Sequence, residues 1–273
     1  MNEKQKSKVP FLKWAGGKRQ IIDRIKAVLP EGKRLVEPFC GSATVFLNTD
    51  YQENLIADTN RDVINIFSFL QNEGRDFIDY CSQYFIPENN DAEQYYEYRA
   101  LFNETQDLRQ RAALFLYLNK HGYNGLCRYN SSGGFNVPFG KYKKVTFPEG
   151  YLYDFLFKTK HAEFIEQDFE TTLTNTKRGD IVYCDPPYVT ANASNQSFQY
   201  EKNGFSLQQQ ERLAQPAEET AAKGITVLIS NHLTEFTRKI YKNAELNTFS
   251  VRRSISCKGD QREQALEVLA LYK

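Results

Sequence analysis

The chain has 273 residues, of which 41% are hydrophobic and 25% charged, and its formal net charge is +1. This composition is typical of a globular protein with a substantial core, and its overall charge does not by itself indicate a polyanionic partner. No apolar run is long enough to span a membrane and the lysine-rich start lacks a signal-peptide core, so we expect no membrane contact and a cytoplasmic location. The five cysteines form no C-x-x-C pair and the three histidines are isolated, which favours a reducing compartment and no metal site.

The first motif, at 11–18, places the only tryptophan between two lysines and beside two glycines. Glycines allow the backbone to approach a ligand closely, so Trp14 could cover a cofactor and Lys18 could neutralise a carboxylate. The alternative is a plain loop before the helix predicted at 19–29. A Trp-Ala-Gly-Gly-Lys turn is poor core material, which favours the functional interpretation.

A strand, a tight glycine turn and a helix start are predicted over 35–48, with Glu37 and Gly41 in the turn motif. The G-x-G-x-x-G fingerprint is absent, so NAD and FAD are poorly supported. A second strand at 54–57 ends at Asp58, where an acid suits hydrogen bonding to a ribose diol. Capping of the next helix is at least as good an explanation of Asp58.

From about 60 to 121 the apolar pattern is helical, which predicts an inserted helical subdomain over 60–147. Residues 108–144 carry seven basic side chains and no acidic one. Aromatic and amide side chains are interleaved with them, namely Tyr123, Asn124, Tyr129, Asn130, Phe135, Asn136, Phe139 and Tyr142. This mixture on a glycine-rich loop favours a nucleic-acid surface over an ordinary solvated loop.

After 147 the α/β pattern resumes with a helix at 151–159 and a short strand at 163–166. The strand leads to Asp168 and Phe169. The acid could accept a hydrogen bond from an adenine amine while the ring packs on the base, and helix capping is an equal alternative.

The tetrapeptide Asp185-Pro186-Pro187-Tyr188 follows the apolar strand predicted at 180–184. Ligands of open α/β sheets bind at such carboxyl strand ends. These groups suit an exocyclic amine on a planar base. A carboxylate and a carbonyl can accept hydrogen bonds from its two N–H groups, and Tyr188 can stack on the face of the base. For the tetrapeptide taken alone, a Pro-rich turn with a capping acid and a packing tyrosine is a comparably good explanation.

The remaining chain predicts further elements of the sheet. These are a polar lid or disordered stretch at 189–204, helices at 207–222 and 233–241, and strands at 225–231, 246–251 and 266–271. The basic loop that starts at Arg252 could bind phosphate groups or simply form a charged hairpin.

The motifs, in this order, resemble the α-group amino-methyltransferases and more closely the Dam-type DNA adenine-N6 methyltransferases, which act on GATC. The specific part of the resemblance is the segment at 119–130, with 135–140 and 251–256. The resemblance implies an α/β fold, a Rossmann-like S-adenosylmethionine-dependent methyltransferase sheet with helices on both faces and an inserted helical target-recognition domain. It implies a discontinuous catalytic domain over 1–59 and 148–273 and a target-recognition domain over 60–147.

The resemblance also assigns residues to roles. The S-adenosylmethionine positions are Trp14, Lys18, Glu37, Gly41, Asp58, Asp168, Phe169 and Asp185, and the catalytic set is Asp185, Pro186 and Tyr188. The segments at 119–130 and 135–140 together form what we call the reading segment. In it, Arg128 matches an arginine that forms hydrogen bonds with a guanine, and Tyr123 matches a tyrosine inserted into the base stack. Leu126 and Pro138 match positions that touch the thymine methyl group. Other DNA-binding candidates are Lys13, Asn124, Asn130, Asn136, Tyr142 and Arg252, with Lys13 matching a lysine at the outer guanine.

We therefore expect a monomer that flips adenine out of duplex DNA containing GATC and methylates N6 without a metal. The nearest rivals are an amino-methyltransferase acting on cytosine N4, RNA or a protein glutamine, because the tetrapeptide would serve each. A rival of another class is a non-catalytic regulator that binds DNA and senses the cofactor.

Overall fold

The computed structural model describes residues 7–189, 205–252 and 264–273. Within them the helices are α1 (Ile22–Val28), α2 (Thr44–Asn48), α3 (Arg61–Glu73), α4 (Arg75–Ser82), α5 (Ala92–Glu104), α6 (Leu108–His121), α7 (Glu149–Lys158), α8 (Phe169–Thr174), α9 (Leu207–Ala222) and α10 (Glu235–Ile240). The strands are β1 (Arg34–Glu37), β2 (Glu53–Asp58), β3 (Ala162–Glu166), β4 (Asp180–Cys184), β5 (Thr226–His232), β6 (Glu245–Arg252) and β7 (Gln264–Tyr272). Residues 190–204 of the stretch predicted as a polar lid or disordered, the side chain of Arg252 and the basic loop after it lie outside the described residues.

The described strands form one sheet in the order β3-β2-β1-β4-β5-β7-β6. The run from β2 through β1 and β4 to β5 is parallel, and β7 lies antiparallel between β5 and β6. All five residues of β4 are buried, as expected for a central parallel strand covered on both faces. The predicted α/β alternation is therefore confirmed, and β4 presents its carboxyl end in the middle of the parallel run.

Helix boundaries follow from local capping. Asn60, not Asp58, is the N-cap of α3, and its side chain accepts from the backbone N–H groups of Asp62 and Val63. The helix predicted at 233–241 begins only at Glu235, because Thr234 and Thr237 form a capping box in front of it. Helix α9 runs without interruption through Pro216.

Contacts divide the chain into two compact units, of which the first comprises Met1–Ile22, Cys40–Asp50 and Asp58–Glu166. Its core is aromatic. Phe67 stacks on Phe155 with ring centroids 4.6 Å apart, and Phe11 and Phe46 pack edge-on against the same ring at 5.1 and 5.5 Å. Helix α6 is buried along eight successive residues, Ala112 to Asn119.

The second unit comprises Asp23–Phe39, Tyr51–Ala57 and Gln167–Lys273. Two strands are tied at their starts by a bidentate pair, since Arg34 donates to both carboxylate oxygens of Asp180 at 2.9 and 2.6 Å. These units are defined by packing. The functional division into a catalytic domain and a target-recognition domain at 60–147 stays a prediction.

Candidate active site

The predicted catalytic tetrapeptide leaves the sheet directly after β4. Asp185 is half-buried, and its Oδ1 accepts a hydrogen bond of 2.9 Å from the hydroxyl of Ser230 on the neighbouring strand β5. The hydroxyl of Ser230 also lies 3.0 Å from that of Tyr183, which is buried in β4. The acid therefore projects at the carboxyl edge of the sheet, as predicted, while a buried pair of hydroxyl groups lies beneath it.

Contacts with Glu267 and His232 orient Tyr188. Its hydroxyl donates to Oε2 of Glu267 at 3.3 Å, and its ring meets that of His232 edge-on with centroids 4.8 Å apart. Burial, followed by the nearby charges of Asp185 and Glu267, raises the pKa of Tyr188 well above its ordinary value. The phenol therefore stays neutral at physiological pH, and its ring is available as a stacking surface rather than as a base.

A buried polar network holds the other end of the tetrapeptide. Gln210 donates to the carbonyl of Pro187 at 2.7 Å, and Asn231 accepts from the backbone N–H of Val189 at 3.1 Å. Asn231 also donates to Gln210 at 2.9 Å and to the hydroxyl of Tyr241 at 3.1 Å. Gln210, Asn231 and Tyr241 are fully buried. The composition of α9 and β5 gave no signal for this network, because its members are far apart in the chain.

An aromatic cluster lies in the same unit around the predicted adenine position. Phe39 stacks on Phe169 at 5.3 Å, and Phe205 meets both rings edge-on. Phe39 was not among the predicted site residues, although its place in the motif at 37–42 could have indicated it.

Two further acids predicted near the donor, Asp168 and Glu37, lie in this unit. Asp168 caps α8, accepting from the backbone N–H and the hydroxyl of Thr171 at 3.0 and 2.8 Å. Those bonds, the backbone one first, hold the pKa of Asp168 below its usual value. Glu37 is buried at the end of β1. The capping explanation of Asp168 is thus what the geometry shows, and an additional role towards adenine stays a prediction.

The first unit brings three predicted cofactor residues together. Gly41 has a φ of +48°, and a Cβ at this position would overlap the indole of Trp14. The backbone N–H of Gly41 donates to Oδ2 of Asp58 at 2.9 Å, and Oδ1 of Asp58 accepts from the N–H of Asn60 at 2.9 Å. Burial raises the pKa of Asp58, and these two N–H groups act in the opposite direction. Asp58 is therefore part of the glycine loop rather than the cap of α3.

Lys18 is buried, with Nζ 2.5 Å from the carbonyl of Gly16 in the first motif. It belongs to a short 3-10 turn, Lys18–Gln20, that precedes α1. The structure thus holds the ammonium group against the glycine turn of the first motif.

Lys13 is held from several sides. Asn119 pairs with both its backbone N–H and its carbonyl at 2.8 Å, although the two residues are 106 positions apart. The ammonium group donates to the carbonyl of Lys120 at 2.8 Å and lies 4.1 Å from the ring centre of Tyr142. Gly125 completes the fit, because a Cβ there would overlap the side chain of Lys13.

The tyrosine predicted to enter the base stack is presented on a turn. Tyr123 is 51% exposed, and Asn124 beside it adopts a left-handed conformation with φ +52°. The N–H of Asn124 donates to the hydroxyl of Tyr142 at 3.0 Å. Tyr142 thus braces both Lys13 and the turn that carries Tyr123.

Arg128, the predicted guanine-binding residue, is exposed and forms hydrogen bonds with Asn136. Nε of Arg128 donates to the side-chain oxygen of Asn136 at 2.7 Å, and Nη2 of Arg128 donates to the backbone carbonyl of Asn136 at 3.2 Å. Asn130 uses its side-chain oxygen to close a turn, accepting from the N–H groups of Ser132 and Gly134. Leu126 is half-buried and Pro138 is exposed.

The reading segment is anchored by a cluster that the sequence did not reveal. Asp62 is buried and accepts hydrogen bonds from Nε and Nη2 of Arg111 at 2.6 and 3.0 Å. It also accepts from the hydroxyl of Tyr129 at 2.6 Å. Tyr129 directly follows Arg128 in the chain. Removing a buried partner from such a charge cluster is strongly destabilising, so this anchor holds the reading segment on α3 and α6.

The described residues, 7–189, 205–252 and 264–273, contain no helix long and apolar enough to cross a membrane. The same residues contain no group of three or more His, Cys, Asp or Glu side chains placed to hold a metal ion.

A largely parallel sheet with an acid, two prolines and a tyrosine at the carboxyl end of its central strand β4 is the arrangement that the motif resemblance implies for an amino-methyltransferase. The chain belongs to the family of D12 class N6 adenine-specific DNA methyltransferases, whose model matches residues 14–255. It is thus an enzyme that transfers a methyl group from a donor to adenine in DNA. The predicted methyltransferase fold and adenine-specific activity are confirmed.

Curated relatives match over nearly the whole chain. The chain is 48% identical to the DNA adenine methylase of Escherichia coli (strain K12), 47% to that of Salmonella typhi and 46% to that of Vibrio cholerae serotype O1, in each case over 96% of this chain and 95% of the relative. Among solved structures, a precorrin 8W decarboxylase of Methanobacterium thermoautotrophicum has a TM-score of 0.42 and 9% identity over 97% of this chain and 95% of that chain. Nothing about this chain follows from so low a likeness.

Proposed function

We propose that the enzyme, acting as a monomer, transfers the methyl group of S-adenosylmethionine to N6 of adenine in GATC after flipping the base out of the duplex. The observation that carries the chemistry is the position of Asp185 at the carboxyl end of β4, beside an oriented Tyr188. A base inside a duplex cannot reach such a strand end, so extrusion is required.

The residues present fit S-adenosylmethionine. In the first unit, the carboxylate of Asp58 suits the ribose hydroxyls, Trp14 covers the glycine loop at Gly41, and Lys18 suits the carboxylate of the amino-acid portion. In the second unit, the stacked rings of Phe39 and Phe169 suit the adenine. When bound, the sulfonium supplies an electrophilic methyl group.

The chain itself supplies acceptors and orientation. Asp185 and the carbonyl of Pro186 would accept hydrogen bonds from the two N–H groups of N6. These bonds draw the nitrogen lone pair out of conjugation with the ring and leave it available to attack the methyl group. Tyr188 would stack on the flipped base and hold its plane. Because neither group has to form a covalent bond, correct orientation supplies much of the rate.

The reading segment supports a specific duplex sequence. Arg128 can bond both O6 and N7 of a guanine, while Leu126 and Pro138 suit the methyl group of a thymine. Tyr123 can occupy the gap that the flipped adenine leaves. The contacts of Asn136, Tyr142 and Asn130 indicate that these three brace the reading residues. Lys13, held by Asn119, would contact the outer guanine.

The sequence preference is tested with short duplexes and a radiolabelled donor. We expect label on N6 of adenine in a GATC duplex, and incorporation at least about tenfold slower when any one base pair of the site is changed. Single-stranded RNA and protein should take up no label. Equal methylation of the altered duplexes would contradict GATC recognition, and binding of GATC without any label would favour the non-catalytic regulator.

Base flipping is tested separately with 2-aminopurine in place of the target adenine. A rise in its fluorescence on binding is expected, because unstacking relieves quenching. The same probe placed two base pairs outside GATC should not respond and serves as the control. An unchanged signal at the target position would contradict extrusion.

The donor site is tested by Gly41→Ala. A left-handed backbone costs a non-glycine residue about 1–2 kcal/mol and the new methyl group overlaps Trp14, so donor affinity should fall about tenfold. Quenching of the fluorescence of Trp14, the only tryptophan, measures the affinity. Gly150→Ala is the matched control, because a Cβ there meets nothing within 4 Å. Equal donor affinity in the two variants would remove Gly41 from the donor site.

A further inference from the structure

The catalytic acid rests on a buried hydroxyl that the proposed mechanism does not use. Ser230 is 1% exposed, and its Oγ lies 2.9 Å from Oδ1 of Asp185, 3.0 Å from the hydroxyl of Tyr183 and 3.4 Å from the carbonyl of Cys184. These oxygens surround the serine hydroxyl beneath Asp185, and the Tyr188 side chain also interacts with Ser230.

The direction of these hydrogen bonds follows from which atoms carry protons. An ionised carboxylate can only accept, so Ser230 donates to Asp185, its closest and only charged partner. The hydroxyl of Tyr183 must then donate to Ser230. Burial raises the pKa of Tyr183 well above its ordinary value, so the phenol keeps the proton that this requires. The result is a one-way chain of donors that ends on the catalytic carboxylate.

The rest of the loop is already fixed by other contacts. Gln210 holds the carbonyl of Pro187, Asn231 holds the N–H of Val189, and Nδ1 of His232 lies 2.7 Å from the carbonyl of Val189. The prolines restrict the backbone further. The hydrogen bond from Ser230 acts instead on the side chain of Asp185, whose rotation decides where the carboxylate oxygens point.

We propose that Ser230 is a positioning residue for Asp185, and that Tyr183 fixes the direction of the Ser230 hydroxyl. The proposal rests on the proposed role of Asp185 as acceptor for the N6 amine. The hydrogen bond from Ser230 restrains one carboxylate oxygen of Asp185 and thereby favours one orientation of the group. A carboxylate that has lost this restraint would meet N6 in the wrong orientation in part of the population, and small misplacements near reacting atoms are costly.

The test is steady-state and single-turnover kinetics of Ser230→Ala on a GATC duplex. We expect kcat to fall roughly tenfold to a hundredfold, with KM for DNA and for S-adenosylmethionine changed by less than about twofold. The 2-aminopurine signal of the flipped base should stay at the wild-type level. Ser230→Thr, which keeps the hydroxyl, should recover part of the rate, and Tyr183→Phe should give a smaller loss of about threefold to tenfold.

A control separates loss of a buried hydroxyl in general from loss of this one. Thr220 on α9 is buried and outside the site, so Thr220→Val should leave kcat at the wild-type value. An equal fall of kcat in Thr220→Val and Ser230→Ala would overturn the proposal. Should Ser230→Ala fail to fold, Ser230→Cys and Tyr183→Phe replace it, and unchanged kcat in both would overturn it as well.

A double-mutant cycle with Asp185→Ala distinguishes the proposed role of Ser230 from that of Asp185. Alanine removes the oxygens that accept from Ser230, so adding Ser230→Ala to Asp185→Ala should lower the residual single-turnover rate by less than about twofold if Ser230 acts through Asp185. Equal losses in both backgrounds would overturn the positioning role. Wild-type activity of Asp185→Ala itself would instead refute the proposed role of Asp185.

Discussion

Asp185→Ala is expected to abolish methyl transfer while DNA binding stays close to that of the wild-type enzyme. Without the carboxylate, N6 loses the acceptor that reorients its lone pair. Removal of one preorganised electrostatic contact to a reacting group commonly costs on the order of a hundredfold to a thousandfold, and here the loss should reach at least about a thousandfold. The proposed DNA-binding surface is carried by other residues, chiefly those of 108–144, so we expect affinity for duplex DNA to change by less than about threefold.

Single-turnover methylation of a GATC duplex measures the first effect, and fluorescence anisotropy of the labelled duplex measures the second. Asp23→Ala is the matched control, since Asp23 is an exposed acid in the first turn of α1 in the same unit. Full activity of Asp185→Ala would refute the acceptor role. Loss of DNA binding together with activity would show that the acid acts in assembly of the complex rather than in the chemical step.

Arg128→Ala is expected to relax discrimination at a single guanine of the site. A bidentate arginine–guanine contact is worth about 1–3 kcal/mol, so the preference for guanine over other bases at that position should fall by roughly fivefold to 150-fold. The other positions should keep their preference. Asn136→Ala should act in the same direction and more weakly, because it removes the acceptor that orients Nε of Arg128.

The ratio kcat/KM on GATC and on each single-base variant measures discrimination directly. Arg75→Ala is a suitable control, because Arg75 is an exposed arginine on α4, outside the basic segment 108–144. It should lower no preference at any position. An unchanged profile for Arg128→Ala would contradict its assignment as a base reader.

Sheet and helices could be predicted from the sequence because their signals are local. The buried run of β4 reads as continuous apolar residues, and the tetrapeptide that ends it contains its acid, its carbonyls and its ring within four positions. The same holds for the basic, aromatic segment at 108–144. Local composition therefore determined the element order and, together with the motif resemblance, the kind of reaction, which the family match then confirmed.

Residue roles were harder to predict where one side chain serves two purposes. Asp58 and Asp168 each followed a strand and preceded a helix, so both could have been caps. In the fold only Asp168 caps its helix, because Asn60 takes that role before α3 and leaves Asp58 to the N–H of Gly41. Sequence spacing does not distinguish these outcomes, since they depend on which backbone N–H groups the turn brings within reach.

What the sequence by itself determined is thus the set of chemical groups and the strand end that presents the acid. Only the tertiary structure decided which partners hold those groups. Asn119 forms hydrogen bonds with Lys13, 106 residues away in the sequence. Asp62 accepts from Tyr129 over a separation of 67 residues, and Ser230 donates to Asp185 over 45. The physical reason is that periodicity and turn chemistry act over a few residues. A hydrogen bond between distant side chains exists only once the packed core has brought their backbones to within a few ångströms of each other.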